Sequence, residues 1–306
     1  MKLTYGKALV HQLAAENRRV VSDWRALLLL RRASHQTKPE DRRWRDAPTS
    51  LEAIHPIMSR LVNSNEFALV EGCPHVYEAL APYGRSGIIG AEEVLMEAHP
   101  FAALSHITAL AFHGLTDDFP QEIHAVVHSG PSSHLIPPGI QQEDWAETGW
   151  AAWGRMPKSL FGQSIDWHRL RTAPSDFGTA EYRPHGYPVR VTTPERTLVD
   201  GLAHPEWCGG LQKVLQAWVQ ARDVLNVDAL VEFVDTLNQG VLRQRTGFVM
   251  EQLGLHHAAL QEWPHLAKRG GSSRLAGSEP FAPTFNDRWK LSINAPIEAL
   301  HPGAGE

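Results

Sequence analysis

Cysteine is scarce in this sequence: Cys73 and Cys208 are the only two in 306 residues. They lie far apart and form no CxxC pair, which argues against both a disulfide framework and a thiolate zinc site. Long apolar runs are missing as well. The longest, Ala26 to Leu30, is flanked by Arg25, Arg31 and Arg32, and it falls well short of the ~20 residues needed to cross a bilayer. The opening stretch MKLTYGKALVHQLAAENRR scatters polar residues throughout and has no small-residue cleavage site. It does not read as a signal peptide, so a cytoplasmic location with no membrane partner is expected. Phosphate-cradling loops are also lacking, since Gly209 and Gly210 follow no strand pattern and belong to no GxxxxGK or GxGxxG motif.

What is present is the composition of a soluble globular protein, 42% hydrophobic and 21% charged, in a length that suits one large domain or two ordinary ones. The net charge of −5 conceals an asymmetry. Residues 1–60 hold 12 Lys and Arg against 6 Asp and Glu, a balance of +6, while the rest of the chain carries 17 against 28, a balance of −11. A basic end on an acidic body suits a protein that meets a polyanion with that end only. Segment-to-segment variation in surface charge would produce the same numbers.

The basic end has its own pattern. Leu3 to Ala15 shows helical spacing, VVS reads as extended, and Ser22 is a good N-cap for a second helix from Asp23 to Arg32. The polar stretch ASHQTKPEDRRWRDAP is expected to be a loop carrying Arg42, Arg43 and Arg45. A third helix then follows a Thr49 or Ser50 cap and runs to about Asn63. Leu51, Ile54, Met58, Leu61 and Val62 fall on one face of it, leaving Glu52, Ser59, Arg60 and Asn63 on the other. Pro56 interrupts this pattern: either the helix is kinked there, or it starts with His55 as cap and Pro56 as first residue. EFALVEGCPHVYEAL alternates, breaks at GCP and resumes, which predicts a hairpin with His75 near its bend.

Three short helices and a two-stranded wing make the winged helix-turn-helix pattern, in which the third helix enters the major groove and the wing reaches backbone or minor groove. The expected fold is α+β, with a winged-helix domain over residues 1–85 and a larger mixed α/β domain over 86–306. Candidate DNA contacts are Arg42, Arg43, Arg45, Ser50, His55, Ser59, Arg60, Asn63 and His75. Small helical units with hairpins also serve as protein-docking modules, so pattern alone leaves both readings open.

In the acidic body, AEEVLMEAHPFAALSHITALAFHGL predicts two helices, the second opened by Pro100 and closed by Gly114, followed by an Asp-rich turn and a buried strand. His106 and His113 share a helical face, and His124 and His128 share a strand face with His134 beyond them. Neither set has the spacing or companion ligands of a metal site, so no metal or other cofactor is expected. Short strands are expected around QSIDWHRLR and YPVRVTT. The stretch VRVTTPERTLVDGLAHPEWCGG then starts a helix, with Thr193 as N-cap, Pro194 as first residue and Glu195 at the positive end of the dipole. Arg196 and Asp200 are four apart and can pair across one turn. Thr193, Glu195, Arg196 and Asp200 thus read as a structural brace. A catalytic reading would assign them chemistry or make Cys208 a nucleophile served by His204, but no recognised pair supports it. Leu211 to Leu255 reads as mostly amphipathic helix, KRGGSSRLAGSEPF as a flexible linker and DRWKLSINAP as a terminal strand.

The order of HPFAALSHITALAFHGL, PQEIHAVV, PVRVTTPERTLVDGL with GG after it, RTGFVMEQLGL and RWKLSINAP resembles the AbiEi-type antitoxins, transcriptional regulators of type IV toxin–antitoxin systems used in phage defence. The resemblance runs over nearly the whole chain. It implies an N-terminal winged-helix domain that binds inverted repeats in its own promoter, and a larger domain required for antitoxin activity. The implied antagonist is a nucleotidyltransferase-like toxin, opposed without a stable complex. The Arg-rich insertion from Ala33 to Pro48 and Pro56 both depart from that pattern. An autorepressor and antitoxin, not an enzyme, is therefore the expected function. The alternatives are a nucleotide- or nucleic-acid-processing enzyme using Glu195, Arg196 and Asp200, an orphan regulator without a toxin, and a protein-interaction scaffold.

Overall fold

A computed structural model of the protein describes residues 2–80, 87–128, 136–141, 154–170, 178–267 and 273–301. The fold is α+β, with α-helices and, among the described residues, three sheets. Two compact units are interleaved along the chain. The first comprises Met1–Ala103, Val127–Arg169 and Glu181–Arg190, and the second Leu104–Val126, Leu170–Ala180 and Val191–Glu306. A six-stranded sheet includes the strands from Ala102 to Thr192, named below. Among the described residues no helix is long and apolar enough to cross a membrane.

The first unit opens with α1 (Tyr5–Ala15), whose start is fixed by Thr4 accepting a hydrogen bond from the Lys7 amide. Leu3, expected within this helix, instead bridges to Arg42 in the manner of a parallel strand. Strand β1 (Val20–Ser22) leads directly into α2 (Asp23–Gln36), capped by Ser22 as its sequence predicts but extending a turn past Arg32. After one 3-10 turn at Pro39–Asp41 the chain enters α3 (Leu51–Asn63). Ser50 caps α3 and Pro56 lies inside it, so the alternative start at His55 does not occur. Cap and apolar face outweigh the proline: Ile54, Ile57, Met58 and Leu61 are buried on both sides of it. Strands β2 (Phe67–Leu69) and β3 (Val76–Ala79) follow, and β1 joins their hairpin to give an antiparallel sheet of order β1-β3-β2. Leu9, Leu13, the run Leu27 to Leu30, Met58 and Phe67 fill the space between helices and sheet. By area, each such side chain contributes about 1.5–3 kcal/mol of burial.

This unit continues beyond residue 85. Helix α4 (Ala91–Ala98) delivers Glu97, which is fully buried, to the β1–α2 junction. Its carboxylate receives the Ser22 amide and hydroxyl, each at 2.9 Å, together with the guanidinium groups of Arg18 and Arg25. The Trp24 indole N–H donates to the Glu97 carbonyl at 2.8 Å. Nearby, Arg19 pairs with buried Glu93 and Arg32 with Glu16.

Pro100 does not open a helix. It precedes β4 (Ala102–Leu104), and α5 (His106–Phe112) starts after Ser105. The run from Phe101 to Leu104 is buried throughout and has no polar face to offer water, which suits a strand. The remaining strands of the large sheet are β5 (Glu122–His128), β6 (Ser159–Leu160), β7 (Gln163–Leu170), β8 (Thr179–Tyr182) and β9 (Val189–Thr192), in the order β6-β7-β5-β4-β9-β8. Leu104 and Val191 are parallel partners.

In the second unit, α6 (Pro194–Ala203), α7 (Leu211–Ala221), α8 (Val227–Leu237), α9 (Gly240–Gln252) and α10 (Ala259–Leu266) enclose a core around Leu198, Leu215, Trp218, Phe248 and Trp289. Gly247 permits the closest approach, because a methyl group there would stand 2.1 Å from the Trp289 ring. Of the expected flexible linker, residues 268–272 lie outside the described residues and the rest is ordered: β10 (Ser273–Arg274) runs parallel to β12 (Leu291–Ser292), β11 (Phe285–Asn286) antiparallel to it, and Leu275 and Ala276 are buried. Two apolar side chains amid Gly and Ser suffice to dock the segment.

Candidate nucleic-acid interface

The exposed side of α3 carries Glu52, His55, Ser59, Arg60 and Asn63. Glu52, Ser59, Arg60 and Asn63 lie away from the buried Ile54, Met58 and Leu61, with His55 on the flank, as a 100° step requires. Ser50 is half-buried and serves the helix itself, its hydroxyl accepting from the Ala53 amide. The Glu52 carboxyl is held below its ordinary value by its own backbone N–H and by the Ser50 hydroxyl. Pro56 brings no amide, so the Glu52 carbonyl loses its usual helical donor. One turn on, the Ser59 hydroxyl donates to the His55 carbonyl at 2.9 Å and Arg60 Nε to the Pro56 carbonyl at 3.2 Å.

The segment between α2 and α3 is anchored at alternate residues. Trp44 is buried, stacked on Tyr5 at 4.7 Å, and its indole N–H donates to Ser34 at 2.8 Å. Arg42 turns back over the Trp44 ring and donates to the Ser34 and Arg45 carbonyls. Arg43 and Arg45, on either side of Trp44, face solvent. Leu3 holds the base of this loop through two backbone hydrogen bonds, from its amide to Asp41 at 2.8 Å and to its carbonyl from Arg43 at 2.9 Å. Of the expected contacts, Arg43, Arg45, Ser59, Arg60 and Asn63 are thus exposed, while Arg42 and Ser50 are engaged inside the unit.

His55 and His75 have a different setting. Both approach Asp23, the first residue of α2: Oδ2 lies 3.1 Å from His55 Nε2 and 2.7 Å from His75 Nδ1. The two imidazoles are 5.3 Å apart. His75 adopts φ 67°, uncommon for a residue with a side chain, and its carbonyl accepts from the Asp23 amide at 3.1 Å. Asp23 is 52 residues from His75 in sequence, and no motif signals the pair; only the hairpin's return to the start of α2 brings them together.

In the second unit the four brace residues each have a structural partner. Thr193 caps α6 through the Arg196 amide, and Glu195 accepts from the Asn226 amide at 3.1 Å, tying the start of α6 to the cap of α8. Arg196 is buried, pairs with Asp200 at 3.0 Å and lies over the Phe233 ring. Thr192 and Thr197 exchange a 2.7 Å hydroxyl contact beneath them. His113 Nε2 donates to the Thr192 carbonyl at 2.7 Å, and burial lowers its pKa despite that bond. Cys208 is fully buried, and burial followed by the charges of Asp200 and Glu206 pushes its thiol pKa up, away from the thiolate a nucleophile needs. His106 and His124 lie with rings 6.0 Å apart, and Trp207 meets His106 edge-on. His134 lies outside the described residues.

No protein-family model matches the sequence, and no curated protein matches it. The fold is similar to the crystal structure of the RV2827C protein from Mycobacterium tuberculosis, with a TM-score of 0.54 at 13% identity over 99% of this chain and 95% of that one. At this identity the likeness concerns the fold.

Proposed function

We propose that the chain is a duplex-DNA-binding transcription regulator that reads its site with α3, and that it acts as the autorepressor and antitoxin implied by the resemblance of its motif order. The observation that carries the DNA reading is the first unit's element order, α1-β1-α2-α3-β2-β3, with a three-stranded sheet behind an exposed, hydrogen-bonding face of α3. This order supports the winged-helix reading. An α-helix of 13 residues is about 20 Å long and fits the major groove, about 12 Å wide. Arg60 suits guanine, Asn63 adenine and Glu52 a cytosine amino group, while exposed Arg43 and Arg45 suit phosphates.

The test is fluorescence anisotropy with duplex from the gene's own promoter and a scrambled duplex, at about 50 and 200 mM salt. Binding is expected to prefer the promoter and to weaken by orders of magnitude across that range. Equal affinity for both duplexes overturns the regulator. Co-expression with a nucleotidyltransferase-like toxin from the same operon addresses the second half, with restored growth expected. Failure there removes the antitoxin role and leaves DNA reading intact.

A further inference from the structure

The contact of Asp23, His55 and His75 is more than a hydrogen-bonded cap. Their ligand atoms lie within 4.8 Å of one another. Four donors around a tetrahedral zinc ion, at about 2.0–2.2 Å from it, stand about 3.4 Å apart, so modest side-chain rotations bring these three onto one ion. Two imidazole nitrogens and a carboxylate oxygen form a donor set that suits zinc and its neighbours in the first transition row. The carboxylate side chain is only 6% exposed, and its second oxygen, Oδ1, is buried with no donor in hydrogen-bonding geometry. Tyr77 stands beside it, the pKa of its hydroxyl raised by burial, by the Asp23 charge and by a hydrogen bond to that carboxylate. A buried carboxylate with one oxygen left unpartnered is a place where a cation is accommodated. The three residues line a cleft of about 270 Å³ that also takes in Ser22, Glu52 and Arg155, room for an ion with coordinated water.

We propose that Asp23, His55 and His75 bind one divalent transition-metal ion of the zinc type, with water completing its coordination. The ligands come from three elements: the start of α2, the second turn of α3 and the bend between β2 and β3. A bound ion therefore cross-links α3 to the hairpin. The site stands without the DNA reading; where that reading holds, the ion fixes the helix and the hairpin in one arrangement and makes DNA binding metal-responsive.

The experiment uses the full chain freed of metal with a chelator. Co²⁺ is titrated and followed by its visible absorption, and Zn²⁺ by calorimetry, on the wild type and on a His55→Gln, His75→Gln double variant. Both histidines are nearly half exposed, with side-chain exposures of 49% and 45%, and a glutamine amide can still donate to Asp23, so the metal-free double variant should fold. One equivalent bound by the wild type and lost in the double variant, with a Zn²⁺-dependent rise in Tm confined to the wild type, supports the site. The chain has 17 histidines, so the difference between the two proteins decides. No binding by the wild type, or equal stoichiometry and equal Tm rise in both, overturns it. Should the double variant not fold, His75→Gln alone must weaken Zn²⁺ binding by about tenfold or more, and unchanged affinity overturns the proposal.

Discussion

Two arginine-bearing stretches of the first unit use that residue in opposite ways. Between Glu16 and Arg32 the cations turn inward: Arg18 and Arg25 are fully buried on Glu97, Arg19 pairs with Glu93 and Arg32 with Glu16. Between Arg42 and Arg60 they face solvent, with Arg42 the exception that holds the loop. A segment's formal charge is therefore a poor measure of its external field. Glu93 and Glu97 of α4 offset two of the +6 charges of residues 1–60, Glu16 being already counted in that balance, and the exposed arginines that remain lie on and just before α3.

The contrast breaks most visibly at Glu97. Glu97→Gln should leave Arg18 and Arg25 short of a counter-charge in a dry site and destabilise the protein by about 3–5 kcal/mol, read as a large fall in Tm. A triple variant with Glu97→Leu, Arg18→Met and Arg25→Met should be milder, since it buries no unpaired charge. If the single change is the milder one, the inward stretch is not an ion-pair core. The same logic applied to the second unit predicts a smaller loss. Asp200→Ala strands Arg196, but Asp200 retains 18% exposure and its charge is screened, so about 1–3 kcal/mol is expected from thermal unfolding. Asp200→Asn that keeps full stability yet abolishes activity in cells would instead revive catalysis there.

The outward stretch is tested on DNA. Arg60→Ala and Asn63→Ala together should leave Tm within error and cost roughly 1–3 kcal/mol per lost base contact, with relaxed sequence preference. Arg43→Ala should have the smallest effect: uniform weakening on promoter and scrambled duplex, and a log–log salt slope shallower by about 1. A promoter-selective loss from Arg43→Ala would exchange the roles of loop and helix.

What was legible in the sequence is local. Ser22, Ser50 and Thr193 announce their helices because a hydroxyl cap acts within three residues, and Arg196 finds Asp200 because four residues make about one turn. Pro56 misleads at one place only, since its missing amide is a local cost and the buried face that outweighs it is tertiary. Pro100 misleads for a related reason. Proline before an apolar run suits either the first turn of a helix or the approach to a strand, and the pairing of Leu104 with Val191 decides between them. The sites that depend on distance were invisible: no spacing rule connects Glu97 with Arg18, or Asp23 with His75, because each pair is assembled by topology.

Glu97 also limits how the chain can be divided. Residue 85 is a natural place to cut by sequence, just past the last strand of the β1-β3-β2 sheet, yet a fragment ending there would retain Arg18, Arg25, Ser22 and the Trp24 indole while losing Glu97, which accepts from all four, and would leave the two guanidinium groups only Glu16. Grafting the N-terminal helices onto another body would carry the same defect. The portable piece must include at least α4, and inheritance should treat Ala91–Ala98 and the first two helices as one block, changing together or not at all.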